Sequence, residues 1–281
     1  MVAPGVFDLI SAKIADQMGF ECLYATGYGM VASHLGLPDA GLATYTDMVG
    51  RVAQIGSMTQ TPFIADGDTG YGGLLNVQHT VRGYEAAGAA GIQLEDQQFP
   101  KKCGHMLGRR VVPAEEMAAK VKVAAESRSD RNFVIVARTD ARTEFGLDEA
   151  LRRAERYLAA GADVLFIESP ESAEEMRRIG EAFRGVPLLA NMVDGGRTPL
   201  LDRKSLEEIG YKVAIFPALG FLAMGAALES AYVHLQRTGS SLGAPVPLYD
   251  FARFSALMGF DGVAQFERKY GASDSPADVS R

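Results

Sequence analysis

Three carboxylates and one cysteine in polar surroundings are the residues of this sequence best equipped to act on a small molecule. Asp66 and Asp68 stand two apart in ADGDTGYGG, and Glu95 ends the apolar run IQLE. Carboxylates crowded together repel unless a cation neutralises them. Hard oxygen donors without a histidine cluster suit Mg²⁺, with Mn²⁺ as an alternative. His34, His79, His105 and His234 lack the spacing of a zinc site. Gly67, Gly70, Gly72 and Gly73 let the backbone come close to a ligand. The lesser alternative for Asp68 is a turn in which its carboxylate bonds its own backbone. Asp39 in LGLPDAG is placed either to hydrogen-bond metal waters or to cap a turn.

The cysteine is Cys103 in PKKCGHM, with Lys101, Lys102 and His105 around it and Gly104 beside it. Positive neighbours stabilise a thiolate, so this thiol can give or take a proton near neutral pH or act as a nucleophile. Cys22 sits in GFECLYAT and reads as core. Arg138 in VARTDAR closes another apolar run and has the fork to clamp a carboxylate, or to pair with Glu95 or Glu168. Asn191 offers an amide to a carboxylate or carbonyl. Tyr24, Thr26, Gly27 and Tyr28 read as a loop of backbone donors for an anion, or as an ordinary turn.

These residues need a scaffold that brings strand ends together. Short apolar runs predict strands over Val2–Pro4, Cys22–Thr26, Phe63–Asp66, Ile92–Glu95, Phe133–Thr139, Val164–Glu168, Leu188–Asn191 and Val213–Phe216. Helical patterns lie between them at Asn76–Ala87, Pro113–Arg128, Leu147–Ala160, Ser172–Phe183, Arg203–Ile209 and Leu219–Leu235. Three helices run into a glycine and then a strand, in AAGAAG, AAGAD and EEIGY. Eight such units make an α/β (β/α)8 barrel, whose chemistry lies at the C-terminal strand ends. A doubly wound sheet competes, but no glycine-rich phosphate turn follows the first strand. Thr26, Asp66, Glu95, Arg138, Glu168 and Asn191 then converge on one cup. The barrel is expected over residues 1–240, a helical extension over 241–270 and a small polar, disordered tail over 271–281.

Composition narrows the class of function. The 281 residues carry a net charge of −7, which argues against a nucleic-acid surface. Two cysteines make no disulfide framework and fit a reducing, cytoplasmic compartment. The stretch 218–228 is too short and too glycine-broken to span a membrane. The start, MVAPGVFDLI, has no basic segment ahead of an apolar block and opens at a candidate strand.

The segments LGLPDAGL, ADGDTGYGG, LEDQQFPKKCGHM, VARTDAR and LANMVDGGRTP together resemble the phosphoenolpyruvate mutase/isocitrate lyase superfamily, over residues 3 to about 240. KKCGHM after LEDQ is similar to its carbon–carbon lyase branch, which acts on 2-methylisocitrate and 2,3-dimethylmalate. The resemblance implies a homotetrameric barrel with C-terminal helices exchanged between subunits. It implies Mg²⁺ bound directly by Asp66 and through waters by Asp39, Asp68 and Glu95. Thr26, Gly27 and Tyr28 would bind a substrate carboxylate, Arg138 would clamp near the reacting carbon, and Glu168 and Asn191 would hold the second product's carboxylate. Cys103 would deliver a proton from a gating loop, tuned by Lys101 and His105. The implied reaction cleaves a 2-hydroxy di- or tricarboxylate to pyruvate or glyoxylate plus a carboxylate, through an enediolate.

Three positions depart from the tricarboxylate members. Leu222 stands about where an Arg meets an extra carboxylate, Ile167 precedes Glu168 where Pro is common, and Tyr28 replaces a second Gly. With NMVDGGRTP and VVPAEE, these favour a malate-type dicarboxylate; Arg253 is a further carboxylate contact to consider. Other readings are oxaloacetate hydrolysis or decarboxylation, a phosphonomutase of the carboxyphosphonate or phosphonopyruvate type, and a silent dicarboxylate binder. Cys103 counts against the phosphonomutase.

Overall fold

Alternation within the strands explains both the core and the cup. The computed structural model describes residues 1–104 and 106–271. Along the chain run β1 (Val2–Val6), α1 (Leu9–Asp16), β2 (Leu23–Ala25), α2 (Gly27–Leu35), α3 (Tyr45–Met58), β3 (Phe63–Asp66), α4 (Leu74–Ala86) and β4 (Gly91–Glu95). There follow α5 (Ala114–Ser127), β5 (Val134–Thr139), α6 (Arg142–Phe145), α7 (Leu147–Ala159), β6 (Val164–Ile167), α8 (Ala173–Ala182), β7 (Leu189–Asn191), α9 (Arg203–Ile209) and β8 (Val213–Phe216). The chain continues with α10 (Leu219–Thr238), α11 (Phe251–Leu257) and α12 (Phe260–Tyr270).

The eight strands are parallel, in the order β6-β5-β4-β3-β2-β1-β8-β7. A parallel bridge from Leu165 to Leu188 closes the ring between β6 and β7. This is the expected (β/α)8 barrel. One set of alternate residues fills the interior: Ala3, Cys22, Tyr24, Ile64, Val136, Val164, Phe166, Leu189, Val213 and Ile215. The other set, including Ala65, Leu94, Ile135, Leu165 and Ala214, packs outward against the helices. Two residues beyond an interior residue, on the same face, come Asp66 after Ile64, Arg138 after Val136 and Asn191 after Leu189.

Helix ends feed the strands as the sequence predicts. Gly88, Gly161 and Gly210 take φ of 91°, 111° and 116°, which residues with a Cβ rarely adopt. Pro113 is the N-cap of α5, one residue before its first turn. Helices α1, α2 and α3 lie ahead of the first predicted helical pattern, Asn76–Ala87. In α2, Gly27 and Gly29 oppose helix formation, yet buried Met30 and Val31 hold it in place.

Two compact units divide the chain, Met1–Gly225 and Ala226–Arg281. The first holds the barrel. In the second, Asp250 accepts from the Arg253 amide to cap α11, and Gly259 precedes α12. The tail expected to be disordered lies, apart from Gly271, outside the described residues. Among the described residues no helix is long and apolar enough to cross a membrane.

Candidate active site

A cavity of about 230 Å³ opens at the C-terminal strand ends. Tyr24, Thr26, Tyr28, Asp39, Asp66, Glu95, Lys101, Cys103, Gly104, Arg138 and Asn191 all line it. Gly27, Asp68 and Glu168 stand just behind. A Cβ on Gly27 would lie 2.5 Å from Asp66 Oδ2, so only glycine lets this backbone reach the carboxylate. His105 lies outside the described residues.

The acidic side is buried and ordered. Asp66 Oδ1 accepts from the Asp68 amide at 3.0 Å and from Gln93 Nε2 at 3.3 Å, and Tyr24 donates to Gln93 Oε1 at 2.7 Å. The turn bond thus belongs to Asp66. Asp68, at φ 49°, turns its own carboxylate to the Lys101 ammonium, which also bonds Asp39. Burial raises the carboxyl pKa of Asp66 and Glu95, and pushes Asp68 up to about 7 despite Lys101. Burial alone would lower Lys101, but Asp68 and Asp39 hold it well above the usual lysine value. Folding therefore engages the ammonium beside Cys103 with these two carboxylates.

The donor set suits a hard divalent cation. Among the described residues Glu95 Oε1 is buried without a hydrogen bond, and Asp68 Oδ1 meets the Lys101 ammonium. Among the described residues no three Asp, Glu, His or Cys side chains form an ion-holding group by themselves. An ion here would keep several waters, as Mg²⁺ does.

Arg138 organises the opposite side. Its Nε and Nη2 fork onto Asp140 at 2.9 and 2.8 Å. Nη1 lies 3.3 Å from Glu95, and Nη2 lies 3.4 Å from Glu168. The guanidinium stacks over Phe166, 5.2 Å from the ring centre. Asn191 donates to Glu168 at 3.0 Å. Arg138 and Arg109 hold the Asp140 pKa below its ordinary value against the effect of burial. Asp96 anchors the end of β5, accepting from Thr139, from the Asp140 amide and from Tyr157.

The loop after β4 covers this side. The Cys103 amide donates to Asp39 O at 3.2 Å, and Gln97 brackets Lys102 by donating to its carbonyl and accepting from its amide. At Gly104 a Cβ would stand 2.3 Å from Arg138 Nη2 and 2.7 Å from Glu168 Oε2. Phe166, Val193, Ile215, Pro217, Ala218, Phe221 and Leu222 give the cavity an apolar wall. Sequence reasoning missed Gln93, Asp140, Arg109 and most of that wall. Gln93 and Asp140 carry a signal, each being polar and two positions from a strand-end residue of the cup.

A family profile described as phosphoenolpyruvate phosphomutase matches residues 1–235. The chain is 48% identical to a 2,3-dimethylmalate lyase of Eubacterium barkeri, over 96% of this chain and 93% of that one. It is 41% identical to a 2-methylisocitrate lyase of Aeropyrum pernix, over 92% and 83% respectively. An oxaloacetate acetylhydrolase bound to 3,3-difluorooxalacetate superposes with a TM-score of 0.91 at 34% identity, covering 96% of this chain and 92% of that one.

Proposed function

The chain belongs to the phosphoenolpyruvate phosphomutase family and is a carbon–carbon lyase of it, and from that premise we propose that it cleaves an alkyl-substituted malate with the help of Mg²⁺. The two-sided cavity carries this reading: ionic groups on one side, an apolar wall with Leu222 on the other. A third carboxylate would meet that wall without a cation, and alkyl groups fit it.

Asp66 would hold the ion directly, with Asp39, Asp68 and Glu95 acting through waters. When bound, the ion polarises the substrate's hydroxyl oxygen and lowers its pKa. Glu95, whose Oε1 has no hydrogen bond among the described residues and whose proton affinity is raised by burial, is suited to accept the hydroxyl proton. Thr26 heads α2 without a side-chain cap, leaving first-turn amides for a substrate carboxylate. Arg138 stabilises the charge that cleavage leaves on the departing carboxylate fragment, an enediolate. Glu168 and Asn191 fix that fragment, and Cys103 protonates it. Tyr24 and Tyr28 border the pocket, while Lys101 and His105 tune the Cys103 thiol.

Proton NMR with Mg²⁺ on 2,3-dimethylmalate, 2-ethyl-3-methylmalate, 2-methylisocitrate, isocitrate and oxaloacetate tests the proposal. The expected result is pyruvate from 2,3-dimethylmalate or 2-oxobutanoate from 2-ethyl-3-methylmalate, at a kcat/KM at least about tenfold above either tricarboxylate. Silence across the panel overturns it. The acetylhydrolase similarity favours a second reading, and oxalate plus acetate from oxaloacetate alone would establish that one instead. The proposal places the enzyme in the cytoplasm as a homotetramer, whose mass sedimentation would measure.

Two further results follow. Gly104→Ala forces the loop off Arg138 and Glu168, and kcat/KM should fall by about a hundredfold in steady-state assays. The acidic cup also makes stability depend on pH. Between the ordinary carboxyl value of 3.8 and about 7, native Asp68 keeps a proton that the unfolded chain releases. Stability from this group therefore falls as pH rises through that window. Thermal unfolding in EDTA should show the melting temperature dropping from pH 5 to pH 8, and Mg²⁺ should restore more of it at pH 8. A Mg²⁺ effect independent of pH would refute this.

A further inference from the structure

Ser169 directly follows Glu168 and is fully buried, with a left-handed φ of 59° that serine rarely adopts. Its amide donates to Glu168 Oε1 at 2.7 Å. Its hydroxyl has one proton and, among the described residues, two acceptors: Gly104 O at 3.1 Å and Glu168 Oε1 at 3.2 Å. With the loop down, that proton can hold the carbonyl directly after Cys103. With the Gly104 bond broken, that proton turns to Glu168.

Arg109 does the corresponding work at the far end of the loop. It is buried, and its Nε donates to Met106 O at 3.0 Å. Nη2 donates to Thr143 Oγ1 at 2.7 Å, and Nη1 pairs with Asp140 Oδ1. Asp140 Oδ1 also receives Arg138 Nη2. One carboxylate oxygen thus fixes both the base of the loop and the guanidinium in the cup.

Neither Ser169 nor Arg109 lines the cavity. Resting on the lyase reading above, we infer that Ser169 and Arg109 are positioning residues, pinning the loop at Gly104 and Met106 so that Cys103 and Arg138 keep a fixed relation. A one-ångström error in such a relation is enough to slow a reaction severely.

The test uses Ser169→Ala, Ser169→Gly and Thr143→Val in the full chain, with Arg109→Lys as the conservative variant. Ser169→Gly removes the strain as well as the hydroxyl, and Thr143→Val removes one anchor of Arg109 while leaving the Asp140 pair. The readouts are kcat and KM, melting temperature, and the rate of trypsin cleavage after Lys102, which is exposed. Losing one latch should lower kcat about tenfold, the equivalent of one hydrogen bond, with KM within about threefold. Cleavage after Lys102 should quicken severalfold with no change in melting temperature. Arg109→Lys, which keeps the charge for Asp140 but loses the bonds to both Met106 and Thr143, should fall below Thr143→Val. Unchanged kcat and cleavage, or a lower kcat with unchanged cleavage, overturns the inference. If the parent enzyme turns over nothing in the panel, the lyase reading fails, and the cleavage rate alone decides the latch: faster supports it, unchanged overturns it.

Discussion

Cys103→Ala is expected to lower kcat on the preferred alkylmalate by about a thousandfold while leaving Mg²⁺ affinity within about twofold. A positioned proton donor contributes about 10² to 10⁴ in rate. The thiol lies on the cavity wall, its amide bonded to Asp39 O and its neighbour Gly104 packed against Arg138 and Glu168. Removing sulfur deletes the proton source without moving the carboxylates proposed to hold the ion. Cys103→Ser should recover little, because a hydroxyl gives up its proton far less readily than a thiol. The checks are product formation by NMR and Mg²⁺ titration by calorimetry. If Cys103→Ala keeps a tenth or more of parental turnover, the thiol is not the donor.

Arg138 carries the other large expectation, on both rate and stability. Its guanidinium lies among Asp140, Glu95 and Glu168, all buried. Arg138→Met leaves three buried carboxylates without their shared cation. Breaking a buried ion pair from one side costs about 3–5 kcal/mol. At roughly 2–4 °C per kcal/mol for a chain near this size, the melting temperature should drop by about 10 °C. Arg138→Lys keeps a charge but cannot meet both oxygens of Asp140, so it should fold while kcat/KM falls by at least about a thousandfold. Differential scanning calorimetry and steady-state kinetics separate the two effects. A stable, active Arg138→Lys enzyme would show that charge alone suffices.

How far the sequence foretold these groups depends on how local each one is. Asp66, Glu95, Arg138 and Asn191 were legible because each ends an apolar run, and parallel strands gather such ends. The segment after β2 reads as a loop in the sequence, Tyr24, Thr26, Gly27 and Tyr28, whereas Gly27 and Tyr28 open α2. Lys101 neighbours Cys103 in sequence, but its ammonium meets Asp39, 62 positions away. Arg109 and Asp140 are 31 positions apart, and nothing in either segment announces their pairing. Ser169 is an ordinary serine after a strand until the fold sets its φ and brings Gly104 above it.

The two-residue step that sets Asp66 above Ile64, Arg138 above Val136 and Asn191 above Leu189 also limits how this chain can vary. Deleting one residue within a strand would turn its reactive side chain out toward the helices and bring an outward-packed neighbour into the cup. Insertions beyond the strand ends carry no such penalty. Descendants of this gene should therefore hold the spacing of the strands and of the loop that carries Cys103, and differ in length in the loops that bring no side chain to the cup, so new substrates are reached by editing the rest of the rim and leaving the frame intact.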